Sequence, residues 1–124
     1  MPDTGDIMIT FDEKPVYLYC GKTDLRKAIN GLLVLVKNDF NIDPFSGALF
    51  VFCNKNRDRI KILEWDTDGF WLYLKRLERG RFRWPDVGED NKMILTSEEL
   101  TCLIWSAKLE KKLKRKEVSE RLIS

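Results

Sequence analysis

The fold turns on residues 49–77, LFVFCNKNRDRIKILEWDTDGFWLYLKRL. Leu49 to Cys53 is apolar at every position, the pattern of a strand covered on both faces. Asn54-Lys55-Asn56-Arg57-Asp58 is polar and reads as a hairpin loop. Arg59 to Trp65 sets Ile60 and Ile62 against Lys61, the period of a second strand. Asp66-Thr67-Asp68-Gly69 supplies the residue types of a tight turn, and Phe70 to Leu77 follows as a third strand. Three strands joined by two short loops make an antiparallel meander.

Upstream, Asp43-Pro44-Phe45-Ser46-Gly47 is a turn, with Pro suited to its second position and Gly to its end. Leu25, Ala28, Ile29, Leu32, Leu35 and Val36 recur at spacings of three and four, which predicts an amphipathic helix over 24–39. Thr23 is its expected cap and Asp24 lies near its positive end. Val16 to Cys20 is a β-rich run closed by Gly21. Downstream, Gly80 breaks the third strand, and residues 81–84 are expected to add one more short strand, ended by Pro85. A polar loop covers 86–92, and Met93-Ile94-Leu95 is a brief apolar stretch. Thr96 or Ser97 begins a second helix, with Leu100, Leu103, Ile104 and Ala107 as its buried stripe. The expected fold is α+β: a small, mainly antiparallel β-meander sheet packed by two helices. It forms a single domain over residues 1–107 with a loose N-terminus at 1–8. Residues 108–124 read as a basic tail or a frayed helix, since a helix of that composition is marginal alone in water.

Composition narrows the chemistry. A chain of 124 residues with 44% hydrophobic content is enough for one packed core and does not fit a disordered protein. The apolar run Leu32 to Val36, like every other in the chain, is too short to span a membrane. The N-terminus, acidic and without a basic-then-apolar pattern, does not read as a secretory signal, so the cytoplasm is the expected compartment. Cys20, Cys53 and Cys102 are odd in number and far apart, which does not suit a disulfide framework or a zinc cage. Histidine is absent, which removes the commonest general base and the usual nitrogen ligand for metals.

The net charge of +2 hides segregation. Residues 1–13 carry four acids and no Lys or Arg, residues 55–84 carry nine basic residues and five acids, and residues 108–121 carry seven and three. Charge separated in this way suits an anionic partner. Within Lys75 to Pro85, KRLERGRFRWP, five basic residues surround Phe82 and Trp84. On a strand, Arg79, Arg81 and Arg83 would share one side and Phe82 and Trp84 the other. Such a row of guanidinium forks can track a phosphate backbone. The plain alternative is surface pairing with Glu78, Asp66 or Asp68, which contributes little. The loop at 55–61 adds Lys55, Arg57, Arg59 and Lys61 to one patch with Lys75 and Arg76, if the 54–58 loop and the 81–84 segment lie at one end of the sheet. The strand at 70–77 is apolar on both faces, so Trp71 and Tyr73 need cover from the second helix or from a partner protein.

No catalytic constellation stands out. Asp66 and Asp68 could hold a divalent cation, yet they read better as turn residues before Gly69. Glu110 and Lys112 sit in a charge run without an upstream acid on a strand. No glycine-rich phosphate loop is present, and no cofactor or metal is expected.

Several strings also carry a family likeness. These are Gly21-x-Thr23-Asp24-Leu25-Arg26-Lys27, Asp43-Pro44-Phe45-Ser46-Gly47-x-Leu49-Phe50-Val51-Phe52, Asn54-x-x-Arg57-Asp58-Arg59-Ile60-Lys61, Trp65-Asp66 with Gly69-Phe70, and Lys75 to Pro85. Over residues 8–104 the chain resembles the small accessory protein from the second reading frame of insertion sequences of the IS sixty-six family, often called TnpB. It departs from the family pattern at Ala48, where histidine is common, and at Cys53, where a basic residue is. The resemblance implies work in transposition beside a separate, larger transposase that carries the carboxylate triad, and it supplies no reaction of its own. With the charge segregation, it leads to the expectation of a non-catalytic factor contacting DNA, at the element's ends or non-specifically. The contact residues would be Arg57, Arg59, Lys61, Lys75, Arg76, Arg79, Arg81 and Arg83. The alternative is a protein-interaction adaptor that binds the transposase, or itself as a homo-oligomer, through Trp71 and Tyr73.

Overall fold

In the computed structural model, which describes residues 14–85 and 91–105, the all-apolar run at Leu49–Cys53 is the central strand β2, buried at all five positions. Its flanks explain why. Counting β1 as Val16–Lys22, β3 as Arg59–Asp66, β4 as Gly69–Arg76 and β5 as Lys92–Leu95, the sheet order is β4-β3-β2-β1-β5. β2, β3 and β4 form the antiparallel meander, with Val51 opposite Ile62 and Ile62 opposite Tyr73. β1 runs parallel to β2, Val16 beside Leu49 and Leu18 beside Val51. A parallel pair needs a long crossover, and residues 23–48 supply it.

Alternation sends side chains to two cores. Leu49, Val51 and Cys53 join Val16, Leu18, Cys20, Ile60 and Ile62 on one face, covered by Phe82, Leu100 and Ile104. Phe50, Phe52 and Leu63 lie on the other, covered by Leu32, Val36 and Phe40. The first helix, α1, spans Ile29–Leu35 and widens into a π-helical turn at Val36–Phe40. Asn41 ends it in the left-handed region at φ 56°, where asparagine is tolerated. A second helix, α2, occupies 97–105 on the opposite face. Its start is Thr96, closed by a reciprocal capping box: Glu99 N–H donates to Thr96 Oγ1 at 3.0 Å, and Thr96 N–H donates to Glu99 Oε1 at 2.8 Å.

Three expectations change. The first helix begins at Ile29, not at Thr23 or Asp24, and its cap position, Ala28, makes no side-chain bond. Asp24 instead closes a local turn, accepting the Arg26 N–H at 3.0 Å and its guanidinium at 2.8 Å. An aspartate so engaged competes with helix start. Residues 81–84 are not a strand. The chain leaves the sheet after Arg76, turns at Gly80, where φ is +82°, and crosses the 54–58 loop. There Phe82 N–H donates to Arg57 O and Leu77 N–H to Asp58 O, both at 2.7 Å. The in–out alternation survives without a ladder: Phe82 is buried, Trp84 half-buried, and Arg81 and Arg83 are exposed. The apolar stretch at Met93–Leu95 belongs to strand β5, pairing antiparallel with β1. The loose N-terminus expected at 1–8, Ala107, the Glu110 and Lys112 pair and the tail at 108–124 lie outside the described residues. Among the described residues no helix is long and apolar enough to cross a membrane.

Cys20 and Cys53 are buried in the α2-face core, and burial pushes the Cys53 thiol up to about 11. Cys102 is exposed on α2. Alkylation of the native protein at pH 8 is therefore expected to modify Cys102 within minutes and to spare the other two, with all three reacting in denaturant. Mass spectrometry of the labelled protein checks this, since thiolate fraction and access set the rate.

Candidate nucleic-acid interface

The 54–58 loop is stiff. Asn54 Oδ1 accepts the N–H groups of Asp58 and Arg59 at 3.1 and 3.0 Å, while its Nδ2 donates to Asp58 Oδ1 at 2.7 Å. That clamp holds Lys55 and Asn56 outward, exposed, and turns Arg57 inward at φ 61°. The Arg57 guanidinium donates to Cys20 O at 3.4 Å and sits 5.9 Å from the Trp84 ring centre. Trp84 Nε1 in turn donates to Tyr19 O at 3.1 Å. Arg57 thus fastens the 81–84 segment to the sheet.

Strand register sorts the remaining cations. Arg59 lies directly opposite Arg76, and Lys61 opposite Leu74, all on the α1 face. Lys75 lies opposite Ile60 on the other face, where its Nζ donates to Ile104 O at 3.0 Å and stands 3.7 Å from the Trp105 ring centre. It clamps α2 to the sheet. Of the eight candidate cations, Arg57 and Lys75 each meet both a backbone carbonyl and an aromatic ring of the protein itself. Arg59, Lys61 and Arg76 form one row, and Arg79, Arg81 and Arg83 stand exposed on the two sides of Gly80.

The row floors a groove of about 520 Å³. The walls are the 23–26 turn and the 54–56 loop, so Arg26 and Lys55 join Arg59, Lys61 and Arg76 around it. The one carboxylate among the lining residues is Asp24. Its hydrogen bonds from Arg26 hold it well below the usual carboxylate range. Leu74, 60% exposed, and Leu25 give the groove its apolar part. Like charges directly opposite on paired strands destabilise a sheet; Arg59 and Arg76 do so here, with only the exposed Glu78 bonded to Arg76 Nε, at 2.9 Å. Lys61 Nζ donates to Lys27 O at 2.9 Å and keeps its charge at the groove. Sequence reasoning left out Arg26 and Thr23 because the parallel register sets Lys22 beside Cys53 and so brings the 23–26 turn to the 54–56 loop.

Trp71 and Tyr73 lie on the α2 face of β4, the outermost strand. Their rings stack at 6.1 Å and 14°. Trp71 is 55% exposed and donates its Nε1 to Asp66 Oδ2 at 3.0 Å. Tyr73 donates its hydroxyl to the buried Glu64 at 2.8 Å, and Lys14 also bonds Glu64. Burial and the Glu64 carboxylate push the Tyr73 hydroxyl up to about 12. Thr67 Oγ1 and Trp71 both bond Asp66, so this carboxylate serves the β3–β4 turn. No group of three His, Cys, Asp or Glu side chains placed to hold a metal comes together among the described residues.

Comparison with known proteins finds relatives over most of the chain. The chain is 36% identical over 96 residues to the uncharacterized protein y4jC of Sinorhizobium fredii (strain NBRC 101917 / NGR234), covering 74% of this chain and 81% of that one. It is 33% identical over 89 residues to y4hO of the same organism, covering 72% and 76%. No solved structure matches it. The family model described as IS66 Orf2-like protein matches residues 14–114, which takes the likeness beyond the motif strings and into the basic stretch of sequence that starts at Lys108. The chain belongs to the IS66 Orf2-like family.

Proposed function

We propose that this protein is a non-catalytic accessory factor for transposition of an insertion sequence. In this reading it holds DNA by phosphate contacts at the basic end of its sheet, in the cytoplasm, beside the element's larger transposase. The family supports the transposition context. The observation that carries the DNA reading is the row of Arg59, Lys61 and Arg76 in a groove whose one lining carboxylate is bonded to Arg26. In this reading Arg79, Arg81 and Arg83, on the exposed segment whose Phe82 N–H bonds the 54–58 loop, add further phosphate contacts. Phosphate contacts position a protein on DNA without reading sequence, and they need neither a nucleophile nor a metal.

The test is fluorescence anisotropy with a labelled duplex carrying an element end, beside a scrambled duplex, over a salt series. Binding that weakens steeply with salt supports the reading, because each neutralised phosphate contributes about 0.9 to the log–log slope. No binding at low salt overturns it. A second reading has its own observation. β4 is the outer strand and presents Trp71 half-exposed and stacked on Tyr73, a surface suited to the transposase or to another copy of the chain. Co-purification with the transposase that Trp71→Ala abolishes, while duplex binding stays intact, would favour that adaptor.

A further inference from the structure

Thr23 is 6% exposed, and among the described residues its Oγ1 is the one buried side-chain polar atom without a hydrogen-bond partner. Its backbone is well fixed, the N–H donating to Cys53 O at 2.8 Å. A buried hydroxyl left unpaired costs stability, and Thr23 lines the same groove as Arg26, Arg59, Lys61 and Arg76. Two local costs therefore meet at one place: an unpaired donor, and two arginines directly opposite each other on paired strands.

We infer that this groove is a seat for a single phosphate group, with the Thr23 hydroxyl as a donor at its base and Arg59, Arg76 and Lys61 as its charge partners. Phosphate offers several acceptor oxygens on one centre, so it can take a hydroxyl and two guanidinium forks together. Threonine carries hydroxyl and methyl on one carbon, so one staggered step about χ1 would bring the buried hydroxyl to the groove. No aromatic ring lines the groove, so a base has nothing to stack on, and the seat takes the phosphate rather than the base. The same chemistry comes from a DNA backbone or from a free phosphate. The first source rests on the DNA reading above; the seat itself does not.

The test is a melting series in sodium phosphate against sodium chloride at matched ionic strength, together with displacement of labelled duplex by phosphate. The variants are Thr23→Val and Thr23→Ser. The expected result is that phosphate raises the melting temperature of the native protein and competes with duplex. Thr23→Val should melt no lower than the native protein yet lose about tenfold in phosphate affinity, the worth of one hydrogen bond to a charged group. Thr23→Ser should keep the response. A phosphate response unchanged in Thr23→Val, or no response in the native protein, overturns the seat. In the second case, duplex binding that persists leaves the DNA reading standing. A phosphate response without duplex binding keeps the seat, assigns it to free phosphate and removes the DNA reading.

Discussion

Phe40→Ala is expected to lower the unfolding free energy by about 3–5 kcal/mol. A domain of this size has on the order of 5–15 kcal/mol in total, so the variant should be near the edge of folding at 37 °C. The reason lies in where the π-helical turn puts the ring. Phe40 is fully buried, with centroids 5.6 Å from Phe50, 5.9 Å from Phe52, 5.9 Å from Tyr19 and 6.4 Å from Tyr17. Those four rings are held by β1 and β2, each flanked by a strand on both sides, and close poorly on a void. Lys92 Nζ also donates to Phe40 O at 3.1 Å, tying the turn to β5. Phe45 provides the contrast. It is 52% exposed and touches Trp65 edge-on at 4.9 Å, and its alanine variant should lose about 1 kcal/mol. Urea unfolding distinguishes the two, with a lower midpoint and an unchanged slope for Phe40→Ala.

The second large effect concerns DNA. Replacing Arg59, Lys61 and Arg76 together by alanine is expected to flatten the dependence of log affinity on log salt by about 2.7, three contacts at about 0.9 each. Fold should be preserved, because these side chains lie at the groove and separating Arg59 from Arg76 removes a repulsion. Arg57→Ala and Lys75→Ala should behave in the opposite way. Their charges meet Cys20 O with Trp84, and Ile104 O with Trp105. Each should leave the salt slope unchanged while lowering the melting temperature, by loosening the 81–84 segment or α2. These measurements would separate two of the eight candidate cations from the rest, as the geometry does.

The meander was legible in the sequence because its signals are local: a fully apolar run, an alternating run, and turns rich in Asp, Asn and Gly. The second helix was legible from Thr96 and Glu99, whose capping box is a short-range pattern. The start of α1 was not, because Asp24 had an equally local alternative partner in Arg26. β5 was missed since four residues carry no readable period, and its partner strand is far away in sequence. The candidate site divides along the same line. That the 54–58 loop meets the segment after Gly80 follows from meander topology and was foreseen as a possibility. That Arg57 turns inward depends on Asn54 forcing a left-handed residue after it. That Thr23 and Arg26 complete the groove depends on the parallel β1–β2 pairing, which no spacing in the sequence announces.

The central claim, that DNA meets the basic end of the sheet, is tested most directly by an NMR titration of the isotopically labelled protein with a short duplex at low salt. The account predicts that amides of Thr23 to Arg26, Asn54 to Lys61, Arg76 and Arg79 to Arg83 shift together and return when salt is raised. Those of β5 and of the Val36–Phe40 turn should stay in place. Shifts confined to Trp71, Tyr73 and the β3–β4 turn, or none at all, would contradict it.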